Sequence, residues 1–312
     1  MPNTKYIFGP VPSRRLGLSL GIDVIPYKIC SIDCVYCQVG RTTEKTTERK
    51  EYMPVDELLT QLKQKLDAGV EADFITLSGS GEPTLNSKLA QIITGIKNLT
   101  DIPVAVLTNA TLFSAPAVRA DCALADVVLP SLDAADEPTF QKINRPHPDI
   151  SIENVIAGLC AFRKEFTGQI WLEVFFVEGL NTAADKIAAI AEAITRINPD
   201  KVQLNTAVRP TAESGIKPID PEKLAKIAKK LGKNAEIIAD FSKAHPQKNI
   251  PSIAANSADI LTMLKRRPCS LSDISAGLGL HLNQVQKHLA DLLAKGKIES
   301  EQKNDTTFFK AK

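Results

Sequence analysis

Three cysteines, Cys30, Cys34 and Cys37, stand in the pattern C-x3-C-x2-C directly after an apolar, strand-like run from Leu18 to Ile25. Thiols this close in sequence can turn their sulfurs toward one inorganic centre, and thiolates are the usual ligands of iron–sulfur clusters. A [4Fe–4S] cube has four irons, so three protein ligands leave one iron open to a substrate or cofactor. A structural zinc site instead closes with four protein ligands, commonly as C-x2-C pairs. No second pair is present. The remaining thiols, Cys122, Cys160 and Cys269, are scattered singly in segments that read as helical and are expected to be small buried hydrophobes. The spacing favours an open cluster over zinc and leaves both on the table.

The elements that would position these thiols alternate. Strand-like runs at Phe74–Leu77, Val104–Leu107, Asp126–Leu129, Ile170–Val177 and Lys201–Asn205 follow the one before the cysteines. Helical periodicity separates them, from Val55 to Leu66, Leu89 to Ile96, Ala115 to Ala125, Glu137 to Ile143, Ile152 to Phe166 and Ala183 to Ile197. Six strands alternating with helices predict a parallel sheet with covered faces, an α/β partial (β/α)6 barrel of TIM type. In such barrels the chemistry sits at the carboxyl ends of the strands.

Those ends carry the unusual residues. The second strand ends in Ser78-Gly79-Ser80-Gly81-Glu82-Pro83, glycines beside a carboxylate that can accept from an ammonium. The third ends in Thr108-Asn109-Ala110, and the fourth in Pro130-Ser131-Leu132-Asp133-Ala134, where Ser131 and Asp133 share one side by alternation. Lys142 and Arg145 follow, three residues apart and able to serve either a substrate anion or nearby carboxylates. Glu173 lies in the otherwise apolar fifth strand, which is costly unless paired, so it is expected to point either into the barrel or towards a partner such as Arg145. Gln203 and Asn205 alternate on the sixth and can line the same cavity. Before the first strand, Phe8 to Arg15 reads as an entry loop broken by prolines, with Arg14 and Arg15 either solvated or reaching an anionic group. Arg41 to Lys50 reads as a solvated loop. Helix Pro221–Leu231 is expected to close the barrel's open side, and His245 to be exposed.

The C-x3-C-x-aromatic-C pattern, with Tyr36 before the last cysteine, closely resembles that of radical S-adenosylmethionine (SAM) enzymes. The resemblance implies that Cys30, Cys34 and Cys37 hold a [4Fe–4S] cluster whose open iron chelates SAM, and that reductive cleavage yields methionine and a 5′-deoxyadenosyl radical. It also implies an electron donor such as flavodoxin or ferredoxin. Ser78 to Pro83 is similar to the superfamily's G-G-E-P motif, with Ser80 in place of the second glycine, and Thr108 to Ala110 to its T-N-G, with Ala110 in place of glycine. By that resemblance Tyr36, Gly79, Gly81, Glu82, Pro83, Asn109, Ser131 and Asp133 contact the cofactor, while Lys142, Arg145, Glu173 and Asn205 are candidates for the substrate. Ser131-Leu132-Asp133-Ala134 with Ile143-Asn144-Arg145-Pro146 resembles the wyosine-synthase-like branch, whose members build the wyosine base on tRNA. Two features depart from that branch: no cysteine precedes Cys30, and residues 1–250 hold 29 Lys+Arg against 30 Asp+Glu, without the basic excess of a tRNA binder.

The chain has 312 residues and a net charge of +2, which argues for no general affinity for nucleic acid or membrane. Six cysteines in so long a chain do not make a disulfide framework, and Met1 to Arg15 holds charges and three prolines rather than an apolar leader. A cytoplasmic location is expected. Composition shifts near Pro251, dividing a barrel with its extension, 1–250, from 251–312. The latter segment shows three helical faces and a hairpin signal and resembles a winged-helix domain with His281 to Lys295 as recognition helix. Its excess of 9 Lys+Arg over 6 Asp+Glu is modest for a DNA reader, so nucleic acid, a protein or peptide, or a second subunit are all open as its partner. Three functions follow: a radical SAM enzyme, with RNA or tRNA modification first; a peptide- or protein-modifying one; or an iron–sulfur redox sensor signalling to the winged helix. Glu82 and Asn109 favour the enzyme, since a sensor needs no SAM cradle.

Overall fold

The computed structural model describes residues 5–239, 256–303 and 306–312. The division at 250/251 and His245 lie outside the described residues. The chain opens with an antiparallel hairpin, β1 (Ile7–Ser13) and β2 (Gly17–Asp23), then β3 (Ile29–Cys30) and β4 (Glu44–Lys45), which pair with each other. Then follow α1 (Val55–Asp67), β5 (Phe74–Ser78), α2 (Leu89–Leu99), β6 (Val104–Thr108), α3 (Pro116–Cys122), β7 (Val127–Pro130), α4 (Glu137–Ile143) and α5 (Ile152–Glu165). The sheet is completed by β8 (Gln169–Phe176), α6 (Ala184–Ile197), β9 (Lys201–Thr206), α7 (Pro221–Leu231) and β10 (Ala235–Ile237). Strand order is β1-β2-β5-β6-β7-β8-β9-β10, parallel from β2 onward, as expected for an α/β chain built of strand–helix units.

Local chemistry fixes these elements. Pro54 precedes α1, whose first turn carries Asp56 and Glu57 and whose inward Leu58 and Leu62 are fully buried. Asp220 caps α7 by accepting from the amides of Glu222 and Lys223. The helices and one sheet face bury a continuous apolar core. On the other face a smaller cluster, Leu16 with Ala105, Val127, Leu129 and Trp171, fills the part of the interior near the strand starts. Leu16 comes from the β1–β2 turn. The polar residues are therefore left to the carboxyl ends.

Four expectations are corrected. The entry segment is a strand, β1, because prolines are tolerated on an edge strand: the register shift between Phe8 and Val11 takes up Gly9 and Pro10. A seventh parallel strand exists, β10, too short to show alternation. Helix α7 crosses from β9 to β10 and packs on α6 instead of closing the open side. Arg41 to Lys50 contains β4, and its cations are engaged: Arg41 pairs with Glu213 and Arg49 with Asp121.

Residues 256–312 form α8 (Ser257–Leu264), β11 (Cys269–Ser270), α9 (Leu271–Leu278), α10 (Leu282–Ala294), β12 (Ile298–Lys303) and β13 (Thr306–Ala311), with sheet order β11-β13-β12. Capping boxes at Asn256/Asp259, Ser270/Asp273 and His281/Gln284 start the three helices. Cys269 lies in a strand, not a helix, and is buried as expected. This segment has its own apolar core, joined by Val11 of β1, and is tied down by Arg266 to Asp23 at the end of β2 and by Arg209, after β9, to Asp273.

Candidate cofactor site at the strand ends

The cysteine loop is held from three directions. Asp33 and Val35 donate backbone N–H groups to carbonyls at 143–145, at 2.9 Å to both Asn144 and Ile143. The amides of Ala212 and Glu213 donate to the carbonyls of Cys37 and Val35. From below, the Glu82 amide donates to the Ile29 carbonyl at 3.1 Å, and a Cβ added at Gly81 would overlap that oxygen, so only glycine lets the two backbones approach this closely. Gly79, at φ +117°, lies against Asp23 in the same way.

The thiols of Cys30 and Cys34 are raised chiefly by burial, with the neighbouring thiols adding to it. Burial pushes Cys30 up to about 11 despite the nearby ammonium of Lys28, and burial, then the carboxylate of Asp133, holds Cys34 well above its ordinary value. Each sulfur meets at least one N–H donor, and Cys30 also receives the backbone amide of Ile32. Asn109 Nδ2 lies 3.5 Å from Cys30 Sγ and Asn144 Nδ2 3.4 Å from Cys34 Sγ, while the Lys28 ammonium bonds to Cys37. The amide orientations are fixed by their other partners. Asn109 Oδ1 accepts from the Thr111 amide at 3.0 Å, and Asn144 Nδ2 also donates to the acceptor-only carboxylate of Asp133 at 2.7 Å. Lys28 is 4% exposed, and no carboxylate among the described residues forms an ion pair with it. Burial depresses its pKa, yet the thiols, led by Cys37, more than reverse this.

This donor set fits a four-iron cluster. A buried ammonium and two amides aimed at sulfurs match thiolates rather than neutral thiols. Four sulfurs around one zinc at about 2.3 Å would crowd to within about 4 Å of each other, and among the described residues no three His, Cys, Asp or Glu side chains converge on a single ion. Cys30, Cys34 and Cys37 are the residues that would hold the cluster. Asn144 Oδ1, buried beside them, has no donor among the described residues.

Glu82 is placed differently from an open carboxylate. It is 2% exposed; Oε1 accepts from the Thr84 amide (3.0 Å), Thr84 Oγ1 (2.6 Å) and Thr108 Oγ1 (2.6 Å), and Oε2 from the Asn109 amide (2.7 Å). It knits the end of β5 to the end of β6, and Pro83 begins the short 3-10 turn that it caps. Burial raises its pKa against these bonds. Asn109 in turn bonds Ser31 and Cys30. Asp133 accepts from Tyr36 Oη, Asn144 and the Phe175 amide, and burial pushes it up to about 6. Tyr36 stacks on Phe175 with centroids 3.9 Å apart. Ser131, bridged to Glu173, lines one small cavity with Asn109, Asp133 and Asn144.

The far flank is charged. Glu173 pairs with Arg15 at 2.6 Å and accepts from Asn205 at 2.7 Å; Asn205 accepts from Arg14 at 2.9 Å. Burial pushes Glu173 up, but Arg15, Asn205 and Arg14 outweigh it and the carboxyl ends below its ordinary range. Burial and the guanidinium of Arg209 lower Arg14 to about 9. Arg145, the partner named for Glu173 as one of two alternatives, is elsewhere: at φ +46° it turns to Glu213 (2.7 Å) and to Asp33 of the cysteine loop (3.6 Å). Lys142 is exposed on α4, and Gln203 bonds Glu236 toward β10. Sequence reasoning gave no role to Lys28 or Asn144. A lysine inside the apolar run Ile25 to Ile32 was the available signal for the first; the second needed the fold.

The radical SAM superfamily profile matches residues 24–194, just over half of the chain, so the protein belongs to that superfamily. Membership implies an enzyme that uses a [4Fe–4S] cluster and SAM. Within it the chain is 39% identical over 222 residues to a UPF0026 protein of Methanocaldococcus jannaschii, covering 70% of this chain and 69% of that one. It is 38% identical over 298 residues to a Brachyspira hyodysenteriae protein named GTPase Obg, where the match covers 96% of this chain but only 44% of the relative. The crystal structure of Streptococcus suis SuiB bound to S-adenosylmethionine shares the fold at a TM-score of 0.53 and 14% identity, over 70% of this chain and 50% of that one. Among the described residues no helix is long and apolar enough to cross a membrane.

Proposed function

We propose that this protein cleaves SAM reductively at a cluster held by Cys30, Cys34 and Cys37 and spends the radical on a nucleic-acid base, as in RNA or tRNA modification. The observation that carries the first half is the pairing of each cysteine sulfur with its own N–H donor, from Asn109, Asn144 and Lys28. When bound, the cluster and SAM supply the 5′-deoxyadenosyl radical that abstracts hydrogen. The chain's own residues orient and exclude. Gly81 lets the end of β5 close on the Ile29 carbonyl, and Gly79 lets it close on Asp23, which holds Glu82 beneath the cysteine loop. Glu82 holds Asn109 in place and keeps one lone pair of Oε2 for the SAM ammonium. Tyr36, Ser131 and Asp133 form the polar wall on the β7 side, and the apolar plug of Leu16 and Trp171 keeps water from the strand starts.

The nucleic-acid half is favoured by the resemblance of Ser131 to Ala134 and Ile143 to Pro146 to the wyosine-synthase-like branch. Residues 256–312, read as a winged helix, would present α10 to the same substrate. The test is anaerobic reconstitution with iron and sulfide, reduction in the presence of SAM, and detection of 5′-deoxyadenosine. Product formation that disappears in Cys30→Ala, Cys34→Ala and Cys37→Ala is expected. A loaded cluster that never cleaves SAM would overturn the enzyme reading in favour of a sensor. Hydrogen transfer from labelled bulk tRNA to 5′-deoxyadenosine tests the substrate, and none from tRNA but some from a peptide would replace it.

A further inference from the structure

Lys28 lies outside every motif that points to the cofactor, yet it is the best-buried cation near it. Its backbone is fixed by β3–β4 neighbours: the amide donates to Thr43 Oγ1 at 3.2 Å and the carbonyl accepts from the Thr43 amide at 3.0 Å. Its ammonium has only Thr42 Oγ1, at 3.4 Å, and the thiol of Cys37 as described partners. A desolvated ammonium held without a carboxylate costs several kcal/mol unless an anion stands beside it, and the three sulfurs are what stands there. Asn109 and Asn144 complete the arrangement with one neutral donor each to Cys30 and Cys34.

We infer that Lys28 is a positioning residue that offsets the negative charge of the ligated cluster and sets its reduction potential, with Asn109 and Asn144 as weaker neutral counterparts. This rests on the cluster assignment above. Three thiolates around a 2+ cube give a net charge of −1, and one-electron reduction by an external donor makes it −2. A fixed positive charge in contact with one sulfur favours the reduced form by attraction, and donors to sulfur act in the same direction. Because Lys28 sits in a dry site, its effect is not screened as a surface lysine's would be.

The experiment is a redox titration of the reconstituted protein, read from its visible and electron-spin spectra without SAM, beside iron and sulfide content, for the natural chain, Lys28→Met, Lys28→Arg and Asn144→Leu. Lys28→Met is expected to carry a full cluster whose midpoint is more negative, with at least a tenfold smaller ratio of reduced to oxidised cluster at a fixed potential, which is 59 mV for a one-electron couple. Lys28→Arg keeps the charge and most of the potential, and Asn144→Leu shifts the midpoint the same way by less. If Lys28→Met fails to hold iron while Lys28→Arg holds it, the charge requirement stands in stronger form. A loaded Lys28→Met with an unchanged midpoint overturns the inference, even where SAM affinity falls. So does loss of iron from both lysine variants when their melting is unchanged. If Lys28→Met does not fold, Asn144→Leu decides by the same shift or its absence. Failure of the natural chain to bind a cluster would sink the functional reading itself and is distinguished by its iron content.

Discussion

Around Cys30, Cys34 and Cys37 the chain supplies two amides and a buried ammonium, all donors, whereas the flank made by Arg14, Arg15, Glu173 and Asn205 carries both signs of charge, with Glu173 answered by Arg15 and Arg14 held by Asn205. The first arrangement suits thiolates rather than thiols, the form these cysteines take when they ligate a cluster. The second is closed within the chain. Glu173 would be an expensive buried carboxylate alone, and Arg15 and Asn205 offset that cost locally. The contrast separates a surface built to receive a charged inorganic group from one built to hold strands β8 and β9 to the β1–β2 turn while presenting guanidinium groups.

The largest effect is expected on the receiving side. Cys34→Ala removes one of three ligands and should leave a folded, colourless protein with background iron, measured by iron assay and visible absorbance; a brown Cys34→Ala would break the comparison at its root. Next is Glu82→Gln. The new amide turns N–H groups toward Thr84, Thr108 or Asn109, all of which donate to the carboxylate now. The stranded donors should cost about 3 kcal/mol, visible as a melting temperature lower by several degrees, and the loosened Asn109 should weaken SAM binding in calorimetry.

The alternation of strands and helices was legible because each buried strand is an apolar, β-branched run and each helix repeats at its own period. What escaped was at the edges, where β1 tolerates Pro10 and Pro12 and β10 is three residues long. In the site, the glycines, Glu82 and Asn109 announce themselves by local spacing. Their partners do not. Cys34 and Asn144 are 110 residues apart in the chain, and Arg15 and Glu173 are 158 apart, so which cation meets which carboxylate is decided only when the sheet forms. Arg145 was the nearer cation in sequence, and its left-handed backbone turns it to the cysteine loop instead.

On the closed flank Glu173→Gln should cost about 2 kcal/mol, less than a fully buried broken pair because both side chains keep some exposure (16% for Arg15 and 15% for Glu173). Its pH signature is the sharper reading. Glu173 is held below its ordinary range, so its contribution is complete above the unfolded value of about 4.3 and is lost as pH falls through the folded one. Asp133, raised to about 6, works in the opposite sense. Between about 3.9 and that value the folded chain keeps a proton the unfolded chain has released, so stability falls as pH rises through the window. Melting followed from pH 3.5 to 7 should therefore lose its acid-side gain in Glu173→Gln and its decline in Asp133→Asn. Identical profiles in the two variants would erase the distinction between the flanks.

The smallest expected effect tests whether residues 256–312 belong to either flank. Arg266 donates to Asp23 at 2.7 Å through Nε, stacks its guanidinium 4.0 Å above the Phe8 ring, and is fixed by the Thr262 carbonyl at 2.7 Å. Asp23 is half-buried against Gly79, and desolvation keeps its carboxyl above the usual range even with Arg266 beside it. The C-terminal segment is thus anchored on the strand end that leads into the cofactor loop, not on the arginine flank alone. Arg266→Met keeps much of the stacking surface and lets Asp23 take a proton, so the loss should be only about 1 kcal/mol. Combined with Asp23→Asn it should be non-additive by at least about 0.5 kcal/mol. Limited proteolysis should release the segment faster in either variant. Additive losses and an unchanged cleavage rate would describe a tethered module with no hold on the cofactor side, and the glycine-rich strand end would then owe its geometry to the barrel alone.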